Sequence, residues 1–286
     1  MFNENKQPVV FKKERDFSAL ISDTIEFVKQ EYKPLGKALL TYAGPFILVT
    51  SFLGDMYQNE LYSNPDAFDP NNPMAAFQGI FSTKYYMFLF SGIISNVVLN
   101  LVVFAYILLY VNKGKDNFKQ EDIWQIVGHH SVPVFLMLIA MSFMIGVGLF
   151  VFIVPGIYLM VVFSLAIFAY MNEELGFNNA ISRSVFLIKN YWLFTLGVLI
   201  VIYLIAFAAG YIFLIPQVLM SASYTEAIQT GNFEEPSAVF TMFSVIGSFG
   251  STLVYAIIYI TLPMHYYSLV QKKEKPDLMN KIDDRE

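Results

Sequence analysis

The chain has 286 residues, of which 56% are hydrophobic, 17% are aromatic and 14% are charged, and its mean hydropathy is +0.52. This balance excludes an ordinary soluble domain, a disordered chain and a nucleic-acid-binding protein, because those classes carry more charge and less apolar surface. The lack of cysteine excludes a disulfide framework and thiol chemistry. The net charge of −5 says little by itself, since acidic and basic residues are segregated by side in the membrane topology predicted below.

The first two predicted membrane-spanning helices cover residues 35–53 and 85–111. Each is long enough to cross a hydrocarbon core of about 30 Å. The segment between them, residues 55–80, is rich in Asp, Asn and Pro, which favour turns over regular structure. We therefore expect this segment to be a polar loop outside the membrane.

The apolar stretch from residue 133 to residue 171 is too long for one crossing, since a single helix of that length would extend about 58 Å. It predicts two spans, residues 133–148 and 156–171, with a tight turn at Pro155 and Gly156. Proline lacks a backbone donor and glycine permits positive φ, so this pair is suited to a break between helices.

The fifth span is predicted at residues 191–215, ending near Pro216, and the sixth at residues 238–263. With these six spans, seventeen of the eighteen Lys and Arg residues fall on one side of the membrane, and only Lys84 falls on the other. Basic residues concentrate on the cytoplasmic side of membrane proteins. The pattern predicts an all-α bacterial inner-membrane protein whose N-terminal tail (residues 1–16) and C-terminal tail (residues 271–286) are cytoplasmic, while residues 221–236 are outside.

Segments before the first, third and fifth spans have apolar residues at helical spacing, which predicts amphipathic helices in the membrane interface. These helices are expected at about residues 17–32, 118–131 and 177–190. The first and third segments match at a constant offset of 160 residues, as in Phe17 and Phe177 or Lys29 and Lys189. The match predicts three consecutive units, each an interfacial helix followed by a transmembrane hairpin. The alternative is three independent surface helices.

Basic residues at the expected cytoplasmic edge are candidates for contact with anionic lipid headgroups or with another membrane protein. They are Lys12, Lys13, Arg15, Lys29, Arg183 and Lys189. Glu173 lies at the same boundary, where a carboxylate is expected to face water or to pair with Lys or Arg. The oligomeric state is not specified by these patterns.

Asn96 and Asn100 lie four residues apart in the middle of the second span, which places both amides on one helical face. We expect this face to point into the helix bundle, because an unpaired amide is costly in hydrocarbon. Hydrogen bonding between helices is the simpler role, and a solute site is the alternative. Ser244, Ser248 and Ser251 form a small-residue stripe that close helix packing explains.

The sequence contains no recognisable catalytic or metal-binding constellation. His129 and His130 are adjacent, so they diverge by about 100° on a helix and are not expected to hold one metal ion. His265 stands beside Tyr266 and Tyr267, which indicates an aromatic belt at the membrane interface. We therefore expect a protein that is not an enzyme and has no cofactor.

Three short motifs carry a resemblance to a known family. They are the turn Val154-Pro155-Gly156-Ile157-Tyr158-Leu159, the segment Glu174-Leu175-Gly176-Phe177 with Ala180-Ile181-Ser182-Arg183-Ser184, and Asn190-Tyr191-Trp192. Together they resemble the membrane domain attached to some bacterial glycerophosphodiester phosphodiesterases and related uncharacterised six-helix families. Those families often carry an Arg where this chain has Val162. The resemblance implies a membrane domain without activity, because the phosphodiesterase reaction belongs to a separate soluble barrel.

These observations favour a non-catalytic domain that organises or supports membrane partners or lipids. The alternative is a transporter or lipid-handling protein with a site in the bundle core near Asn96 and Asn100. The predicted spans lack the ionisable pair that active transport usually requires, and this absence argues against the alternative.

Overall fold

The computed structural model describes residues 7–62, 74, 81–230 and 237–283, and these residues form helices and connecting turns without a β-strand. In chain order the elements are α1 (Phe17–Ala38), a π-helical turn (Leu39–Ala43), α2 (Gly44–Tyr62), α3 (Thr83–Lys113), α4 (Gln120–Val151), α5 (Ile153–Phe163), α6 (Ala166–Glu173), α7 (Phe177–Ile188), α8 (Trp192–Thr230), α9 (Ala238–Val254) and α10 (Ala256–Asp283).

Six helical segments of the described chain are long and apolar enough to cross a membrane. They are Phe17–Leu61, Thr83–Lys113, Gln120–Val151, Ile153–Glu173, Trp192–Ser221 and Ala238–Lys275. This confirms the predicted all-α, multi-pass architecture. Of the two predicted outer loops, residues 63–73, 75–80 and 231–236 lie outside the described residues. The other residues of these two predicted loops are mostly helical, because α2 and α8 continue past the predicted ends of their spans.

Several predicted helix ends are wrong. Pro133 and Pro216 both lie inside helices, so α4 joins a predicted surface helix to a predicted span, and α8 does not end at residue 215. A proline removes one backbone hydrogen bond, and membrane helices tolerate that loss when neighbouring groups compensate. The predicted sixth span is instead two helices that meet at Tyr255, whose N–H donates to the carbonyl of Thr252 in a tightened last turn.

The turn between α4 and α5 lies at Phe152, three residues before the predicted position. Phe152 is extended (φ −152°, ψ 137°), whereas Pro155 occupies the first turn of α5, where its missing amide donor is not needed. At Gly156, a Cβ atom would lie 2.4 Å from Cγ and 2.6 Å from the backbone N of Leu149. Glycine is therefore required by the close approach of α4 and α5, not by the turn itself.

The chain divides into two compact units. Unit 1 comprises Met1–Ala38, Asn100–Ile205 and Ala256–Glu286, and unit 2 comprises Leu39–Leu99 and Ala206–Tyr255.

The core of unit 1 is built on α3 and α10. Every residue from 100 to 110 and from 260 to 269 is buried, so these stretches of the two helices are enclosed on all sides. Helix α1 packs along α10, with Leu20 and Phe27 fully buried and the Thr24 hydroxyl 3.6 Å from Sδ of Met264. Apolar side chains all round a helix are typical of such a central position.

Candidate functional site

Contacts within unit 1 gather most of its charged side chains at one place, which we call the basic end. It contains the N-terminal segment, α1, the α3–α4 turn, α7 and the last part of α10. Its basic residues are Lys12, Lys13, Arg15, Lys29, Lys33, Lys37, Lys113, Lys115, Lys119, Arg183, Lys189, Lys272, Lys273 and Lys275. The segments are tied together by hydrogen bonds from the backbone N of Arg15 to Oγ of Ser268 (2.9 Å) and from Nε2 of Gln120 to the carbonyl of Pro34 (3.4 Å).

Arg15 is buried, with only 2% of its surface exposed. Its guanidinium donates to the backbone carbonyls of Phe11, Lys13 and Val10 and pairs with Asp23 at 2.8 Å. Burial lowers the pKa of Arg15 from its ordinary value, and the carboxylate of Asp23 opposes that shift. Arg15 does not have the exposure that the predicted headgroup contact requires. It ties the N-terminal segment to α1 instead.

The N-terminal segment that contains Arg15 is also fixed by aromatic packing. The ring of Phe11, which is 2% exposed, lies edge-on to Phe27 and Tyr110 with centroid separations of 5.1 and 5.7 Å. A third edge contact joins it to Tyr267 at 6.3 Å. Residues 8–15 are therefore part of the packed structure and not a free tail.

Glu173 is the centre of a second cluster. Its Oε1 accepts from Nε of Arg183 at 2.8 Å and from the hydroxyl of Tyr266, and Arg183 also pairs with Glu274 at 2.5 Å. The expectation that Glu173 pairs with a basic residue is met by Arg183. Because Arg183 is engaged by two carboxylates, its charge is largely neutralised within unit 1.

Glu31 is a buried charge that the sequence did not lead us to expect. It is 1% exposed, accepts a 2.5 Å hydrogen bond from the hydroxyl of Tyr106, and pairs with Lys115 at 3.1 Å. Arg15 and Asp55 are buried as well. None of these three residues lies within a predicted span, so the expectation that the spans lack an ionisable pair stays a prediction.

Exposed lysines form a stripe along α1, which we call the lysine stripe. Lys29, Lys33 and Lys37 are each four residues apart and all exposed. None of the three takes part in an ion pair within the described part of the chain. The side chain of Tyr32, which is 52% exposed, lies beside them, and its ring centroid is 5.8 Å from Nζ of Lys33.

Only Lys29 of the lysine stripe was among the predicted contacts, although the four-residue spacing is visible in the sequence. Among the other predicted contacts, Lys12 and Lys189 are exposed. Lys13 is exposed but pairs with Asp23 at 2.8 Å.

Asn96 and Asn100 differ in their surroundings, although they share one helix. Asn100 belongs to unit 1 and is 4% exposed, and its Oδ1 accepts no hydrogen bond from the described residues. Asn96 belongs to unit 2 and is exposed. The prediction that both amides point into the bundle therefore fails for Asn96, because positions four apart diverge by about 40° and only one of them falls on the buried face.

The small-residue stripe of α9 has two functions in unit 2. A Cβ at Gly247 would lie 2.8 Å from the carbonyl oxygen of Phe213, and one at Gly250 would lie 2.4 Å from the ring, so the glycines allow α8 to pack closely. Ser244, Ser248 and Ser251 line a cavity, and Ser244 also donates to Oε1 of Gln58 in α2. The predicted role in close helix packing therefore does not by itself account for the serines.

The histidines are placed by local hydrogen bonds. His130 Nδ1 lies 2.9 Å from the carbonyl of Ile126 in its own helix. His265 is buried, with Nε2 2.8 Å from the hydroxyl of Thr195, so the prediction of an interfacial aromatic belt does not fit it. Across the described residues, no group of three His, Cys, Asp or Glu side chains is arranged to hold a metal ion.

Comparison of the chain with protein-family models, curated proteins and solved structures finds no match. The basic end and the serine-lined cavity are therefore the features that bear on function.

Proposed function

We propose that this chain is a non-catalytic domain of the bacterial inner membrane that holds anionic lipid headgroups through its basic end. The observation that carries the proposal is the lysine stripe of α1. Three exposed lysines beside an exposed aromatic ring are typical of a helix whose ammonium groups reach headgroup phosphates while its apolar side enters the acyl boundary.

The charge distribution around the stripe supports this proposal. Of the acidic residues in α1, Glu31 is buried and paired with Lys115, and Asp23 is partly buried and pairs with Lys13 and Arg15. The third, Glu26, is partly buried and accepts from Nε2 of Gln30 at 3.0 Å. The exposed charges of the helix are therefore those of its lysines. Each basic residue near an anionic membrane surface contributes about 1 kcal/mol of attraction.

The proposed topology has both termini in the cytoplasm, with the basic end on that side. Six spans bring the N-terminal segment, the α3–α4 turn, α7 and the end of α10 to one side of the membrane. The hydrogen bonds of Arg15 with Ser268 and of Gln120 with Pro34 are consistent with that arrangement. The excess of Lys and Arg at these segments gives the orientation.

We further propose that α1 and α7 are corresponding helices of a three-unit repeat. Their buried positions coincide at the offset of 160 residues: Leu20 with Ala180, Thr24 with Ser184, and Phe27 with Leu187. The two helices differ in length. Helix α7 ends at Ile188, whose equivalent in α1 is Val28, whereas α1 continues for ten more residues. The third copy, at the start of α4, has Ile123 and Val127 buried at the same spacing as Leu20 and Thr24.

The resemblance to the membrane domain of glycerophosphodiester phosphodiesterases is compatible with this proposal. Its motifs lie at the α4–α5 hairpin, at α7 and at the start of α8, all within unit 1. In α7, Arg183 bridges to Glu173 in α6. The motif residues therefore have structural partners, and we propose a supporting role for them without catalysis.

Replacing Lys29, Lys33 and Lys37 by Gln tests the proposal. We expect the triple variant to bind phosphatidylglycerol at least about tenfold more weakly than the wild type, since three lysines contribute about 3 kcal/mol at most. The measurement is native mass spectrometry of the full chain released from detergent with added lipid. The control variant replaces Lys84, Lys119 and Lys275 by Gln, and it removes the same charge outside the lysine stripe, with Lys119 and Lys275 taken from other parts of the basic end. Equal loss in both variants, or in neither, contradicts the assignment to the stripe.

A second candidate function is the handling of a polar solute or lipid inside the bundle. The exposure of Asn96 does not favour the predicted site near Asn96 and Asn100. The serine-lined cavity of unit 2 favours a different location.

A further inference from the structure

The serine-lined cavity of unit 2 has a volume of about 460 Å³ and is formed by α2, α8 and α9 with one ring from α3. Its polar wall consists of hydroxyl and amide groups, among them Thr50, Ser51, Gln58, Gln217, Ser244 and Ser248. No Lys, Arg, Asp or Glu of the described chain lines it. A cavity of this size and chemistry is within the range of small-molecule sites.

The two glutamines give this cavity a fixed polar centre. Oε1 of Gln58 accepts hydrogen bonds from Nε2 of Gln217 at 2.8 Å and from the hydroxyl of Ser244 at 3.3 Å. Ser244 is 2% exposed, so the hydroxyl is held between α2 and α9. These bonds orient groups from three helices before any ligand arrives, which lowers the entropic cost of binding.

Two buried oxygen atoms on α2 lack hydrogen-bond partners among the described residues. They are Oγ1 of Thr50, which lines the cavity, and Oδ1 of Asp55. Asp55 is 3% exposed, its other oxygen accepts from Nδ2 of Asn59 at 3.1 Å, and it shares a helical face with Ser51 and Gln58. Buried polar atoms without partners are rare, and those near a cavity are explained by a ligand or water that supplies hydrogen bonds.

The chemistry of the wall restricts the ligand. A phosphate or carboxylate needs cationic or multiple N–H partners, whereas this wall has no cation and the buried carboxylate of Asp55 is nearby. Hydroxyls and amides both donate and accept, which matches a ligand that does the same. The stacked rings of Tyr57 and Phe88, with centroids 6.3 Å apart and planes at 14°, add a flat apolar wall.

We propose that this cavity binds an uncharged polyhydroxyl group, which is either the sugar headgroup of a glycolipid or a free sugar. The hydroxyls of such a group satisfy Thr50, Ser248 and the two glutamines, while its C–H face covers Tyr57 and Phe88. This binding site is separate from the basic end and does not depend on the anionic lipid proposed there.

The test uses the full chain in an amine-oxide detergent, so that no detergent sugar competes. Glucosyl diacylglycerol, glucose and phosphatidylglycerol are added separately, and bound mass is measured by native mass spectrometry. We expect an adduct with glucosyl diacylglycerol that dodecyl maltoside displaces. If glucose also forms an adduct, the site is assigned to free sugars. If glucosyl diacylglycerol binds and glucose does not, the site is assigned to the glycolipid. No adduct with either probe overturns the proposal.

Two variants locate the binding. Replacing Ser244 and Ser248 by Leu fills the cavity, and we expect at least about tenfold weaker binding of the sugar probe because polar partners are lost as well as space. Ser131→Leu on α4 is the matched control, since Ser131 bonds only within its own helix, to the carbonyl of Gly128. Unchanged binding in the filled variant, or equal loss in the control, places the sugar elsewhere and overturns the proposal.

A third variant separates loss of binding from loss of folding. Gln217→Leu has nearly the same size and removes from the cavity the amide that donates to Oε1 of Gln58. We expect it to bind glucosyl diacylglycerol at least about threefold more weakly at an unchanged melting temperature, because the sugar loses a polar partner. Unchanged binding of glucosyl diacylglycerol contradicts the assignment of this polar wall to the ligand.

Discussion

Arg15→Ala is expected to lower the free energy of unfolding by about 3 kcal/mol, because removing one partner of a buried ion pair leaves the remaining groups unsatisfied. The carbonyls of Phe11 and Val10 lose their donor, and the N-terminal segment loses its link to Asp23. Reversible unfolding of the micelle-bound chain by SDS, followed by circular dichroism, measures the change.

Lys13→Ala is the matched control for this experiment. Lys13 pairs with the same carboxylate of Asp23 at the same distance, 2.8 Å, but its side chain is 48% exposed. Exposed ion pairs contribute about 0.5 kcal/mol, so the control should remain close to the wild type. If the two substitutions lowered the free energy of unfolding equally, burial of Arg15 would not be the reason for its contribution to stability.

Gly156→Ala is expected to destabilise the α4–α5 hairpin by about 1–3 kcal/mol, the usual cost of overpacking a close contact. Its new methyl group would meet the backbone N of Leu149 at 2.6 Å, and backbone atoms cannot rotate away as a side chain can. The same unfolding measurement reports the change.

Gly146→Ala is the control for the hairpin, because a Cβ there meets no atom within 4 Å and replaces glycine in the same helix α4. It should be neutral or stabilising by up to about 1 kcal/mol, since alanine favours helices. A destabilisation by Gly146→Ala as large as that by Gly156→Ala would rule out close approach as the reason for Gly156.

The number of spans could be predicted from the sequence because hydropathy and length limit a membrane helix so strongly. Helix ends could not, since Pro133 and Pro216 are tolerated within helices and the α4–α5 turn falls at Phe152. Nor could the core be predicted. Residues 100–110 of α3 are all buried, while α4 and α8 carry many exposed apolar residues, although all three helices are strongly apolar. In a bilayer, lipid-facing and protein-facing surfaces have similar hydrophobicity, and the pattern that separates them in soluble proteins is lost.

The polar residues were predicted to different extents. The pairing of Glu173 with a basic residue followed from its position at a helix end, and the four-residue spacing of the lysine stripe is readable in the sequence. The cavity depends on Gln58 and Gln217, which are 159 positions apart and meet only in the fold. The burial of Arg15 depends on Phe11 and Ser268 in the same way, so no local pattern could indicate it.

The basic end is proposed to face the cytoplasm, where the lysine stripe meets anionic lipid. The chain has no cysteine, so single cysteines can be placed at Asn112, which is exposed at the end of α3, and at Met74, which is 68% exposed. An impermeant maleimide is applied to intact bacterial cells and then to lysed cells. The proposed topology predicts that the cysteine at position 74 is labelled in intact cells and the one at position 112 only after lysis; labelling of position 112 in intact cells would contradict it.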